Sequence, residues 1–253
     1  MNSSPDNLVL AGRNPVREAL ERGDPPLERV LIQRDLPQRV TDQYRRLADA
    51  AGVPFQMVPQ QKLVQLAGGA THQGVVAVGA LAAYRDLDEI LSEIAPTLDD
   101  VKERKPIVLA LDEIEDPHNF GAILRSAVAA GVSAVVVPDR RMAPLSAVAL
   151  KASAGTGLRI PLARVRNLAD SLTAMKERGY WVAGLAGDGE DTIWSLDWDR
   201  AMVLVIGGEG SGLRPRVAGV CDHLVSIPMR GDAESLNASV ATGVALFAAV
   251  RDR

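Results

Sequence analysis

Three short segments of this chain place small polar, charged and glycine residues at spacings that ordinary core packing does not require. The first, Ile227-Pro228-Met229-Arg230-Gly231-Asp232-Ala233-Glu234-Ser235-Leu236-Asn237-Ala238-Ser239-Val240-Ala241, joins a strand ending, a polar turn and a helix start, with Ser235 and Asn237 just ahead of an apolar run. In the second, Asp116-Pro117-His118-Asn119-Phe120-Gly121-Ala122-Ile123-Leu124-Arg125, one cation sits on an otherwise apolar helix. In the third, the apolar run Val203–Ile206 leads into Gly207-Gly208-Glu209-Gly210-Ser211-Gly212-Leu213-Arg214, a loop whose backbone a ligand could approach closely.

The glycine loop is not a P-loop, because Leu213 stands where the lysine belongs, and it fails the dinucleotide fingerprint, which needs glycine at 213. A tight turn with incidental glycines is its plain alternative. Asn119 and Arg125 could border one cleft at the C-terminal edge of the strand at 107–111, where open α/β sheets bind ligands. Equally, Asn119 could be an N-cap and Arg125 a solvated helix residue. Ser235 has no histidine or lysine at local spacing, which argues against a serine hydrolase. His72, His118 and His223 form no metal-ligand spacing, and His223 reads as structural.

The elements that must position these residues read as two units. Residues 1–80 form a small α/β unit with a helix starting at Asn14-Pro15, strands at 30–33, 55–58 and 75–80, and helices at 42–51 and 61–66. Residues 81–105 are acidic and read as a linker carrying a short helix at 87–94. From 106 to 253, strands are expected at 107–111, 134–137, 162–165, 181–185, 202–206 and 224–227, and helices at 120–130, 145–152, 168–178 and 237–251. These strands are unbroken apolar runs, so helices should cover both sheet faces, which makes the fold α/β with a parallel sheet.

A 47% hydrophobic chain with 24% charged residues has ample core, built from aliphatic residues because Trp, Tyr and Phe occur three times each. The lone Cys221 excludes an intramolecular disulfide and fits a reducing cytoplasm. No apolar run approaches the roughly 20 residues of a membrane helix. The formal charge of -4 counts against a uniformly basic surface, but not against a local basic groove for RNA.

Together and in this order, the three segments resemble the signature motifs of the SpoU–TrmH branch of SPOUT RNA 2′-O-ribose methyltransferases, over roughly residues 106–253. Lys151-Ala152-Ser153-Ala154-Gly155 resembles a further shared segment. Leu10-Ala11-Gly12-Arg13-Asn14-Pro15-Val16 and His72-Gln73-Gly74-Val75-Val76-Ala77 resemble the accessory domain of the subgroup that methylates a guanosine of 23S rRNA.

The resemblance implies a C-terminal trefoil knot, a homodimer, and S-adenosylmethionine held by the knot loops through Gly207, Ile227, Leu236 and Leu185. It further implies Arg125 as the central catalytic residue, Asn119 orienting the ribose or that arginine, Glu209 fixing the guanidinium or the target nucleotide, and Ser235 and Asn237 hydrogen-bonding substrate and cofactor. The partner implied is structured RNA, 23S rRNA before tRNA, and not DNA. Two other classes stay open: an RNA-binding assembly or resistance factor, and a nucleotide-dependent oxidoreductase. The intact site residues oppose the first, and the failed fingerprint opposes the second.

Overall fold

A computed structural model of the protein describes residues 7–23, 27–80, 84–208, 210, 212–232, 234–251 and 253. The chain divides into two compact units, residues 1–83 with 145–151, and residues 84–144 with 152–253.

The first unit contains β1 (Asn7–Ala11), α1 (Arg13–Arg22), β2 (Leu27–Gln33), α2 (Gln38–Ala50), β3 (Phe55–Val58), α3 (Gln60–Ala67) and β4 (Val75–Ala80). Its sheet runs in the order β1-β4-β2-β3; β4 is antiparallel to both neighbours, and β2 and β3 are parallel. Alternation splits the strand residues between two covered faces. Leu31, Val76 and Val78 pack with Leu63 and Ala67 of α3, while Val30, Ile32, Val75 and Ala77, on the opposite face, are fully buried too. The start of α1 differs from expectation: Gly12 is the N-cap, at φ 109°, so Asn14 lies inside the helix and caps nothing. That backbone angle strains any residue with a Cβ, so the sharp exit from β1 selects glycine.

In the second unit, α4 (Leu87–Ile94) and α5 (Leu98–Arg104) lead into β5 (Ile107–Asp112), α6 (Pro117–Ala129) and β6 (Ala134–Pro138). After α7 (Ala147–Ala152), which falls largely in the segment grouped with the first unit, come β7 (Leu162–Val165), α8 (Leu168–Glu177), β8 (Trp181–Leu185), β9 (Asp191–Thr192) and β10 (Met202–Gly207). The chain ends with α9 (Pro215–Ala218), β11 (His223–Ser226) and α10 (Ala238–Val250). The seven-stranded sheet has the order β7-β6-β5-β10-β8-β11-β9, and every pairing in it is parallel. Every residue of β5 and β6 is buried, as expected of a sheet covered on both faces. Val108, Ala110, Val203 and Val205 face a core shared with α4, α5 and α8. On the other side α10 packs on α6 and β10.

Residues 84–104 are not a linker. Leu87, Ile90, Leu91, Ala95 and Val101 belong to that same core, and the Arg85 amide donates to the Leu162 carbonyl at 2.9 Å beside β7. Thr97 starts α5 with a capping box: its hydroxyl accepts from the Asp100 amide, and the Asp100 carboxylate accepts from the Thr97 amide. Cys221 packs as a small apolar group. Burial pushes its thiol up to about 11, so it stays protonated, and Sγ donates to the Val217 carbonyl at 3.3 Å.

Candidate active site at the carboxyl edge of the parallel sheet

Parallel register aligns the strand ends. Gly207, last in β10, pairs with Asp112, last in β5, and Ile206 pairs with Leu185, last in β8. Leu185 also pairs with Val225 of β11, so Ile227 follows one residue beyond that strand at the same edge. Sheet geometry alone thus collects Leu185, Gly207 and Ile227, three of the four residues expected to hold the cofactor. The fourth, Leu236, is exposed in the segment before α10.

Among the described residues, 227–236 makes no backbone–backbone hydrogen bond. The segment therefore lacks the backbone ladder of a strand or helix. The glycine loop next to it closes on itself: the Gly212 amide donates to the Gly208 carbonyl at 3.1 Å, with Gly210 and Gly212 at φ 91° and 63°. A Cβ on Gly207 would lie 2.2 Å from the Gly212 carbonyl carbon, and one on Gly208 would lie 2.5 Å from the Glu113 carbonyl oxygen. These two glycines are required by backbone packing, which supports the tight-turn reading, although the glycines are not incidental to it.

Asp116, not Asn119, caps α6: its carboxylate accepts from the His118 amide at 2.8 Å, and Pro117 is the first helical residue. Asn119 lies inside the first turn and is buried. Its Oδ1 accepts from Nδ2 of Asn237 at 3.0 Å, and Oδ1 of Asn237 caps α10 by accepting from the Ser239 amide at 2.9 Å. One side-chain pair therefore joins the starts of the two helices that carry the first and third motifs. Ser235 is exposed two residues before this junction. Arg125 is exposed on α6, and among the described residues its guanidinium has no ion-pair or hydrogen-bond partner. Glu209 lies outside the described residues.

Sequence reasoning missed the strongest electrostatic contact at this edge. Asp112 is fully buried, and its carboxylate accepts from the Arg214 amide at 2.9 Å and from Arg214 Nε at 2.7 Å. The Arg214 Nη2 atom lies 2.6 Å from the same carboxylate. Hydrogen bonding to Asp112 raises the arginine's pKa above its ordinary value. Glu113, at φ 63°, adds ion pairs to Arg214 at 3.6 Å and Arg141 at 3.2 Å. The available signal was an aspartate closing an otherwise apolar run, a place where parallel strands seldom carry a buried charge without a partner.

The histidines are placed apart. His223 opens β11 and stacks on Trp181 with ring centroids 5.8 Å apart, a structural role. His72 accepts from the Gly74 amide in the first unit. Among the described residues no cluster of three or more His, Cys, Asp or Glu could hold a metal ion. Nor, among those residues, is any helix long and apolar enough to cross a membrane.

Residues 106–247 match the SpoU rRNA methylase family. The chain belongs to that family. Residues 9–85 of this SpoU methylase match a second family, RNA 2′-O ribose methyltransferase substrate binding. The chain is 41% identical over 250 residues to the 23S rRNA (guanosine-2′-O-)-methyltransferase RlmB of Xanthomonas campestris pv. campestris, covering 99% of this chain and 98% of that protein. Among solved structures it resembles the SpoU methyltransferase AviRb from Streptomyces viridochromogenes in complex with AdoMet, with a TM-score of 0.78 and 26% identity, covering 98% of this chain and 91% of that one. It likewise resembles an AdoMet-bound rRNA methyltransferase from Sinorhizobium meliloti, with a TM-score of 0.79 and 27% identity, covering 97% of this chain and 87% of that one. The SpoU methylase reading and the observed α/β architecture agree, and the oxidoreductase alternative falls.

Proposed function

We propose that this SpoU methylase transfers the methyl group of S-adenosylmethionine to the ribose 2′-oxygen of a guanosine in 23S rRNA, in the cytoplasm. The observation that carries the reading is the 41% identity with RlmB along 99% of the chain. Main-chain groups at Leu185, Gly207, Ile227 and Leu236 hold the cofactor, whose sulfonium supplies an electrophilic methyl. The ribose oxygen bonds to that methyl as the methyl–sulfur bond breaks, with the electron pair left on sulfur, and the hydroxyl proton passes to a phosphate oxygen or water.

Arginine is a poor base, with a pKa above about 12. Arg125 therefore acts by charge, holding the neighbouring phosphate and the developing oxyanion. Asn119 and Asn237, already joined, fix the two helix starts around the ribose. Ser235 hydrogen-bonds substrate, and Glu209 braces the guanidinium or the target nucleotide. Residues 1–80 select the RNA and 106–253 carry the chemistry. The test is incubation with methyl-labelled S-adenosylmethionine and separate unmodified 23S rRNA and tRNA pools, followed by nucleoside analysis. We expect 2′-O-methylguanosine in the rRNA. Label in tRNA alone would overturn the substrate, and no transfer to either pool would overturn the activity.

Two structural features belong to the same proposal. Gly189 packs where a Cβ would meet the Leu224 carbonyl oxygen and the Val225 carbonyl carbon at 2.7 and 2.6 Å. That approach follows from β9 lying beside β11, and the trefoil knot is proposed on family membership alone. Val240 and Phe247 of α10 are 51% and 54% exposed and lie two turns apart on one helix face, as a homodimer contact requires. Phe247→Arg is expected to shift the protein from dimer to monomer in sedimentation velocity. An unchanged dimer would remove this face from the interface.

A further inference from the structure

The first unit carries a cavity of about 470 Å³ whose lining includes Gln33, Leu36, Gln60, Val64, His72 and Gln73. It is built from the Thr71-His72-Gln73-Gly74 segment, which the chemistry of methyl transfer does not use. We propose that this cavity receives one unpaired nucleobase of the structured RNA substrate, extruded from its stack. The inference rests on the methyltransferase reading above, because it names the site by which residues 1–80 would choose their RNA.

Four observations support a base as the occupant. Gln33 and Gln60 each offer a carbonyl acceptor and an amide donor, the pairing that hydrogen-bonds a base edge, and Gln73 adds an amide donor. Leu36 and Val64 supply aliphatic surface for the flat faces, and Val64 is 52% exposed with no core to fill. The backbone is shaped for the cavity and not merely slack around it. Gln73 and Gly74 stand at φ 49° and 80°, and a Cβ on Gly74 would lie 2.7 Å from the Leu36 side chain. Gln73 is anchored to the start of α1: its carbonyl accepts from Arg13 Nε at 3.3 Å and its Oε1 from the Arg13 amide at 3.4 Å.

The fourth observation concerns His72. Its Nδ1 accepts from the Gly74 amide at 3.0 Å, so in the neutral ring the proton sits on Nε2 and offers a further donor.

The probes are a 23S rRNA fragment and two copies of one RNA hairpin, identical except that a single bulged nucleotide is intact in one and abasic in the other. With the full-length protein, the intact bulge is expected to bind roughly 10- to 100-fold more tightly than the abasic one, the scale of one well-placed base contact. The double variant Gln33→Ala/Gln60→Ala and, separately, the cavity-filling Val64→Trp are expected to erase that difference and weaken binding of the rRNA fragment. S-adenosylmethionine affinity and melting temperature should remain as in the wild type.

Equal binding of the two hairpins by the wild type, or failure to bind either, overturns the proposal. So does unchanged discrimination in both variants. A wild type that methylates rRNA with these variants equally active would sink the cavity's role and leave the enzyme intact. A wild type that discriminates the hairpins but methylates no RNA would sink the activity and leave the cavity.

Discussion

Arg125→Ala is expected to lower methyl transfer to rRNA by at least about 10²–10³-fold, while S-adenosylmethionine affinity stays within about twofold of the wild type. The magnitude is that of removing one preorganised group from a developing oxyanion. Selectivity for the chemical step follows from position, since the cofactor candidates lie on β8, β10 and the segment after β11, whereas Arg125 is two turns into α6. The substitution should leave the fold untouched. Arg125 is exposed and, among the described residues, its guanidinium forms no ion pair or hydrogen bond, and such surface changes alter stability by about 0.5 kcal/mol or less. A melting temperature like that of the wild type, beside a collapsed turnover, separates a catalytic role from a structural one. Arg125→Lys distinguishes charge from shape: turnover near that of the wild type would mean that one positive charge suffices and the planar fork is dispensable. An active Arg125→Ala protein would remove this residue from the site altogether.

Arg214→Ala should produce the largest loss of stability. It leaves the fully buried Asp112 carboxylate with the 214 amide but without its guanidinium. Breaking a buried pair from one side costs about 3–5 kcal/mol. The lower end applies here, because the Arg214 side chain is 41% exposed and already partly solvated in the folded protein. For a chain of this length about 3 kcal/mol corresponds to a fall in melting temperature of roughly 6–12 °C. The decisive comparison is Asp112→Asn placed in the Arg214→Ala background. Neutralising the stranded carboxylate should recover part of the loss, which additive effects would not produce. A double variant less stable than either single one would mean that Asp112 acts by hydrogen-bond geometry and not by charge. Cofactor affinity should fall as well, because Arg214 ties the end of the glycine loop to the end of β5.

Much of the parallel sheet was legible because its signal is local. An unbroken apolar run such as Val203–Ile206 or Ala134–Val137 is buried on both faces wherever it sits in the sheet. The strands at 55–58, 75–80, 162–165 and 181–185 fall at the expected bounds. Elements formed by distant pairing were less visible. β1 acquires its ladder from β4, nearly seventy residues on, and β9 is two residues held beside β11. The helix expected at 87–94 is α4, but the acidic composition of 81–105 suggested a linker and obscured α5 and the packing of both helices, since Leu87, Ile90, Leu91 and Val101 enter the core. The Thr97–Asp100 box was a readable helix start within that stretch.

Residue types and their order determined which residues are proposed for the site. Asn119, Arg125, Gly207, Ser235 and Asn237 could all be named from three motifs, because each motif compresses a strand end, a turn and a helix start into adjacent positions. Tertiary structure alone decided their partnerships. That Asn119 pairs with Asn237, 118 residues away, that Asp112 receives Arg214, 102 residues away, and that Gly207 has room only for a hydrogen follows from the packing of segments remote in sequence. Local propensity carries no information about such distances. They are set when parallel register brings the strand ends to one edge, and when burial obliges each polar group there to find its partner.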